Sequence, residues 1–142
     1  DVLNGQEVTG DCVVIGGGLV GAETAEYLAN KGHQVTIVEM MDKIAAGEST
    51  TVLPLMMKDF ADHNVKQLVN TKVDHIENNI VYTANEQIKA DTIINALGSK
   101  KNIFDDSSIT IPHVYVGDCS GERTADIASA IRTAYHAANE IG

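Results

Sequence analysis

The chain has 142 residues, 44% hydrophobic and 21% charged, an ordinary globular composition with room for one domain core. Ten Lys plus Arg against twenty Asp plus Glu give a net charge of −10, which argues against nucleic acid and other polyanions that need clustered cations. No apolar run approaches the roughly 20 residues that cross a bilayer, so no membrane partner is expected.

In chain order, the first element is a strand over residues 12–15. Cys-Val-Val-Ile is wholly apolar, as a strand buried on both faces must be. It runs directly into Gly16-Gly17-Gly18-Leu19-Val20-Gly21, where Gly16, Gly18 and Gly21 spell G-x-G-x-x-G. A helix over 22–30 follows, with Ala22, Ala25, Leu28 and Ala29 at helical spacing and Lys31-Gly32 as its stop. A second strand over 34–38 delivers Glu39 at its carboxyl end, eighteen residues beyond Gly21. Three glycines alone recur in ordinary loops; strand, glycine turn, helix, strand and acid in this order make a dinucleotide site.

Each part has a physical task. Gly16 permits the tight turn, Gly18 lets the backbone approach a pyrophosphate, and Gly21 lets helix and strand pack closely. The anion then rests on the amides of the Gly16, Gly18, Leu19, Val20 and Gly21 segment at the positive end of the helix dipole. Glu39 is placed to accept from the adenosine ribose hydroxyls and to repel a 2′-phosphate, which favours NAD(H) over NADP(H). Met40, Met41 and Asp42 follow it, and the two arginines, Arg123 and Arg132, are remote in sequence.

The pattern Val52, Leu53, Met56, Met57, Phe60 predicts a helix within 49–63, with Pro54 in its first turn, Asn64 as its stop and the methionines as core. A third parallel strand is expected over 65–69. Short segments at 72–77, 80–84 and 87–90, separated by Asn78-Asn79 and Asn85-Glu86, predict an antiparallel meander. Asp74, His75 and Glu77 then read as the solvated face of a meander strand, and not as an acid/base or metal group. The five histidines show no ligand-like pattern and are taken as surface or packing residues. Residues 92–97 form a fourth parallel strand, and Gly98 lets the backbone lie near the nicotinamide side. Residues 114–116 are expected to add a fifth strand beside it. A closing helix over 126–141 carries the apolar stripe Ile127, Ala130, Ile131, Ala134 and Ala138. The fold class is thus α/β, a Rossmann-like doubly wound parallel sheet with a small antiparallel β-meander, in a single domain over 1–142. Cys12 and Cys119 form neither a C-x-x-C pair nor a metal cluster, and read as buried or partly buried free thiols in a reducing compartment. No metal site is expected, and the absence of an initiator Met or an apolar leader before Asp1 reads as the edge of an excerpt from a larger cytoplasmic protein.

The wording of the motif adds a likeness. Gly16-x-Gly18-x-x-Gly21-x-Glu23-x-Ala25 resembles the NAD(P)H-binding domain of two-dinucleotide-fold flavoprotein reductases of the pyridine nucleotide-disulfide oxidoreductase type, where the Glu distinguishes the pyridine nucleotide site from the FAD site. More narrowly, the run 13–25, Val38-Glu39-Met40, Ala96-Leu97-Gly98 and Val114-Tyr115-Val116-Gly117-Asp118-Cys119 look like the C-terminal half of the 2-enoate reductase and 2,4-dienoyl-CoA reductase group of NADH:flavin oxidoreductases, over essentially the whole chain. The resemblance implies a partner barrel carrying FMN and an iron-sulfur cluster, and an FAD domain that the nucleotide domain interrupts and to which residues 99–142 return. It implies hydride transfer from NAD(P)H to FAD, then electrons through the cluster to FMN and an activated C=C bond. It places Glu23 near the nicotinamide, Met40 beside the ribose-binding acid, and Gly117-Asp118 against FAD, although Asp118 reads equally as a helix-capping aspartate. Arg123 and Thr124 are candidates to reach a phosphate at that edge, with surface exposure as the plainer account. No acid/base catalyst is assigned. A non-catalytic ADP-binding structural module, as in relatives of the trimethylamine dehydrogenase type, satisfies the same glycines and Glu39.

Overall fold

The computed structural model describes residues 2–46, 51–98, 105–120 and 127–140. Contacts divide the chain into two units, residues 1–98 and 99–142. The first opens with a 3₁₀ turn, Val2–Asn4, and continues β1 (Cys12–Ile15), α1 (Leu19–Asn30), β2 (Val35–Val38), α2 (Leu53–Asp62), β3 (Lys66–Leu68), β4 (Val73–Glu77), β5 (Ile80–Thr83), β6 (Gln87–Lys89) and β7 (Thr92–Asn95). β3, β2, β1 and β7 form a parallel sheet in that order, and β4, β5 and β6 a separate antiparallel one.

β1 occupies the centre because all four of its residues are apolar and can be covered on both faces. Cys12 lies opposite Val35 on one side and Thr92 on the other, and Ile15 opposite Val38 and Asn95. The strand period of two then splits its side chains between two layers. Cys12 and Val14 face a helical layer with Ala22, Ala25, Leu28, Met56 and Phe60, whereas Val13 and Ile15 face Val81 and Ala90 of the meander. Each fully buried aliphatic side chain of this kind contributes about 1.5–3 kcal/mol relative to exposure, so β1 anchors both layers at once. The meander turns between β4 and β5 at Asn78-Asn79, both at positive φ (49° and 63°), as a two-residue hairpin loop requires. Gly32 after α1 and Asn64 after α2 also take positive φ (92° and 55°), the stops their residue types suggest.

α1 and α2 meet across a carboxyl pair. Burial, then the hydrogen bond and charge of Asp59, then the charge of Glu23 push the Glu26 carboxyl above its ordinary value of 4.5. A carboxyl whose folded pKa is raised contributes stability that is present below the unfolded value and lost as pH rises through the folded one. Glu26→Gln is therefore expected to raise the thermal midpoint at pH 7 by about 1–3 °C and to change it little at pH 4, as differential scanning calorimetry at the two pH values would show.

The second unit contains a 3₁₀ turn, Gly117–Cys119, and α3 (Ile127–Glu140). Two expectations fail here. No strand forms at 114–116: Val116 is extended (φ −129°, ψ 160°), but the parallel sheet ends at β7, and an extended segment without a paired ladder is not a strand. The α3 stripe is also turned outward, with Ile127 81% and Ile131 65% exposed while Ser129 is buried. The face that meets the 3₁₀ turn is the polar one, because the Gly117 N–H donates to Thr133 Oγ1 at 2.8 Å and Thr133 donates in turn to the Ser129 carbonyl at 3.0 Å. No helix among the described residues is long and apolar enough to cross a membrane.

Candidate functional site

The C-terminal ends of β1, β2 and β7 converge on the N-terminus of α1. Gly16 leaves β1 at φ 102°, and its N–H donates to the Val38 carbonyl at 2.9 Å, so the turn is tied to the end of β2. A Cβ on Gly16 would stand 2.5 Å from the Ala96 carbonyl oxygen after β7, and one on Gly21 would stand 1.9 Å from the Gly16 oxygen. These two glycines are demanded by packing within the fold. Gly18 is different. It is the N-cap of α1 in an extended conformation, no side chain caps the helix, no acid lies in its first turn, and a Cβ on Gly18 would meet nothing within 4 Å. The first-turn amides, with Leu19 and Val20 exposed, are therefore without a side-chain cap and in a geometry that can receive an anion.

Glu39 closes the other side. It is only 9% exposed, and each of its carboxylate oxygens accepts one backbone hydrogen bond: Oε2 from the Gly17 N–H at 2.6 Å and Oε1 from the Met41 N–H at 2.7 Å. The Gly17 carbonyl accepts from the Ala45 N–H at 2.6 Å, and Ala45 reaches it at φ 49° while buried with Ile44 in the core. A cleft of about 170 Å³ opens beside this arrangement, walled by Val38, Met40, Val73 and Leu97, with Glu39 and Lys72 as its charged groups. Apolar walls with few polar groups suit a flat base joined to a ribose. A larger cleft of about 410 Å³ along β7 has Glu7 as its one ionisable lining residue and offers a phosphate no cation.

The structure thus brings Gly16, Gly18, Leu19, Val20, Gly21, Glu39 and Met40 to one edge. Glu23 lies exposed on α1, and Gly98 follows β7 at φ 84° with open space about it. Gly117 and Asp118 belong to the second unit, while Arg123 and Thr124 lie outside the described residues. Sequence reasoning missed Gly17, Met41 and Ala45. The unbroken Gly16-Gly17-Gly18 run was a signal for Gly17, whose Cβ would come within 2.5 Å of Ile44 Cδ1 and 3.0 Å of Glu39 Cβ; backbone donors such as Met41 and Ala45 leave none. Of the cysteines, Cys12 is buried but Cys119 is exposed, contrary to the expectation of two covered thiols.

The second unit holds a polar cluster of its own. The Asp106 carboxylate accepts from the Tyr115 hydroxyl and from His113 Nε2 at 2.9 Å, while His113 Nδ1 donates to the Ile111 carbonyl at 3.0 Å. The Ile111 carbonyl and then Asp106 raise the His113 pKa above 6.5, and the Tyr115 hydroxyl and then His113 hold Asp106 below 3.8. The histidine contribution is present below its unfolded pKa and lost as pH rises through the folded one; the aspartate contribution is present above its unfolded pKa and lost as pH falls through the folded one. The cluster is complete between those limits. Asp106→Asn is expected to return the His113 pKa toward its ordinary value in an NMR titration, with little change in thermal midpoint because the groups are exposed.

A parallel sheet with a glycine turn into an uncapped helix, and an acid at the end of the next strand, defines a Rossmann-like dinucleotide-binding fold. The chain belongs to the pyridine nucleotide-disulphide oxidoreductase family, whose model matches residues 1–140. It is 46% identical to a bilirubin reductase of Mediterraneibacter gnavus and 31% identical to a cinnamate reductase of Clostridium sporogenes, in each case over 99% of this chain and 23% of the relative. The chain therefore spans about a quarter of the length of these relatives. Among solved structures it is similar to a 2-naphthoyl-CoA reductase in complex with 2-naphthoyl-CoA (TM-score 0.67, 26% identity, 94% of this chain and 21% of that one). It is also similar to the water-forming NADH oxidase of Lactobacillus brevis bound to NADH (TM-score 0.56, 25% identity, 65% of this chain and 22% of that one).

Proposed function

We propose that this chain is the NAD(H)-binding module of a flavin-dependent reductase, delivering hydride from NADH to FAD for reduction of an activated C=C bond of the enoate or enoyl-CoA type. The observation that carries the reading is the open Cβ position of Gly18 at an uncapped helix, together with a cleft lined by Gly16 and Glu39. The bilirubin and cinnamate reductase relatives support the reductase class. In this reading residues 99–142 return to the FAD domain, where Gly117 and Asp118 contact FAD, and the change of unit after Gly98 supports that division. The FMN barrel and an iron-sulfur cluster belong to the rest of a cytoplasmic protein.

The bound nicotinamide supplies the hydride; the protein binds and orients. The amides of Gly18, Leu19, Val20 and Gly21 hold the pyrophosphate against the α1 dipole. Glu39 accepts from the ribose hydroxyls on its remaining lone pairs, and Met40, Val73 and Leu97 shield the base from water. Glu23 and Gly98 flank the nicotinamide end. Calorimetric titration with NADH, NADPH, ADP and FAD tests this. NADH is expected to bind at least about tenfold tighter than NADPH, because a 2′-phosphate meets the Glu39 carboxylate. Equal affinity for ADP and NADH would instead favour the structural ADP module, and tightest binding of FAD would place the site on the flavin side.

A further inference from the structure

Glu39 is expected to recognise ribose, but its carboxylate already does other work. Its two oxygens are taken by amides of different segments, Gly17 in the glycine turn and Met41 in the loop after β2, and no cation pairs with it among the described residues. A carboxylate this buried is held by the hydrogen bonds it accepts, so those two N–H groups are as much required by Glu39 as Glu39 is by them. Gly17 is gripped a second time, through its carbonyl, by the Ala45 N–H. Ala45 is at φ 49°, a conformation that an alanine keeps only where its surroundings enforce it, and its burial with Ile44 provides that enforcement. The middle residue of the glycine turn is thereby fixed on both sides by the loop that follows β2.

Resting on the nucleotide reading above, we propose that Glu39 is a positioning residue for the pyrophosphate-binding turn, and that it sets the turn through Gly17 before and independently of any contact with ribose. A rigid turn presents its amides to the anion without an ordering cost at binding, so loss of the Glu39–Gly17 bond weakens anion binding even when the ribose hydroxyls are gone. The same geometry places the Glu39 and Ile44 side chains where a Gly17 side chain would start, so any substitution at Gly17 must displace one of them.

The test compares wild type with Glu39→Gln, which keeps the shape but turns an amide N–H₂ toward one of the two backbone donors. ADP and 2′,3′-dideoxy-ADP are titrated by calorimetry well below the thermal midpoint, and hydrogen exchange of Gly17, Met41 and the β1 amides is followed by NMR without ligand. The expected result is slow Gly17 and Met41 exchange in wild type. Glu39→Gln should accelerate exchange at least tenfold at one or both of them while β1 stays protected, and should lose about tenfold or more in affinity for both ligands. A variant that loses affinity for ADP but not for dideoxy-ADP would make Glu39 a ribose contact only and overturn the proposal. Fast exchange of Gly17 in wild type, a measurement that needs no variant to fold, would overturn it too. If wild type protects Gly17 yet binds neither nucleotide, the nucleotide reading itself fails and the assigned role fails with it.

Discussion

Gly16→Ala is expected to be severely damaging, lowering stability by about 3 kcal/mol or more and abolishing nucleotide binding. Two independent costs combine. The residue is at φ 102°, which an L side chain rarely adopts, and the new Cβ would stand 2.5 Å from the Ala96 carbonyl oxygen and 2.8 Å from its carbon. Neither obstacle is the mobile end of a side chain, because Ala96 is tied by its own N–H to the Ile15 carbonyl at 2.8 Å. Relief requires β1 and β7 to part where they are paired. Urea unfolding followed by circular dichroism reads the effect, and a midpoint within error of wild type would show that the turn is softer than its geometry states.

Gly18→Val is expected to show the opposite separation: a stability loss of about 1 kcal/mol at most, from replacing a favoured N-cap residue by valine, and NADH affinity reduced at least about a hundredfold. The φ of −63° at Gly18 is open to any residue and the Cβ position is vacant within 4 Å, so no clash demands the glycine. In the proposed reading its value lies in letting a phosphate reach the helix amides, and an isopropyl group stands in that approach. Calorimetry for binding and urea titration for stability, on the same preparation, make the comparison. Undiminished binding would mean that the anion does not approach α1 from this side. In the proposed reading the two glycines, two positions apart in one motif, thus answer to different forces, one to the protein's own backbone and one to its ligand.

That division shows what could be read from the amino-acid order. β1, α1, β2 and the order of the elements up to β7 are legible because local signals agree: an apolar tetrapeptide, a glycine turn, helical spacing, Asn-Asn at a hairpin. The strand bounds shift by only a residue or two at each end. Legibility fails where the outcome depends on distant partners. Val114, Tyr115 and Val116 have strand-forming side chains, but a strand exists only through a neighbour's ladder, and 114–116 has none. Ile127 and Ile131 repeat at helical spacing and α3 forms, yet spacing does not say which face meets a neighbour; the Thr133 bond to Gly117 turns Ser129 inward. In the site, glycines and Glu39 announce themselves by residue type, whereas Gly17, Met41 and Ala45 act through main-chain groups that every residue carries.

The placement of β1 has a bearing on synthesis. Cys12 at its start pairs with Thr92, eighty positions later in the chain, and the whole β1 edge on that side pairs with residues 92–95. A nascent chain emerging from the ribosome therefore carries a fully apolar strand with one open edge throughout the interval in which the residues between β1 and β7 are made. The strand that holds both layers together once folded is, through that interval, the segment in need of protection from other chains.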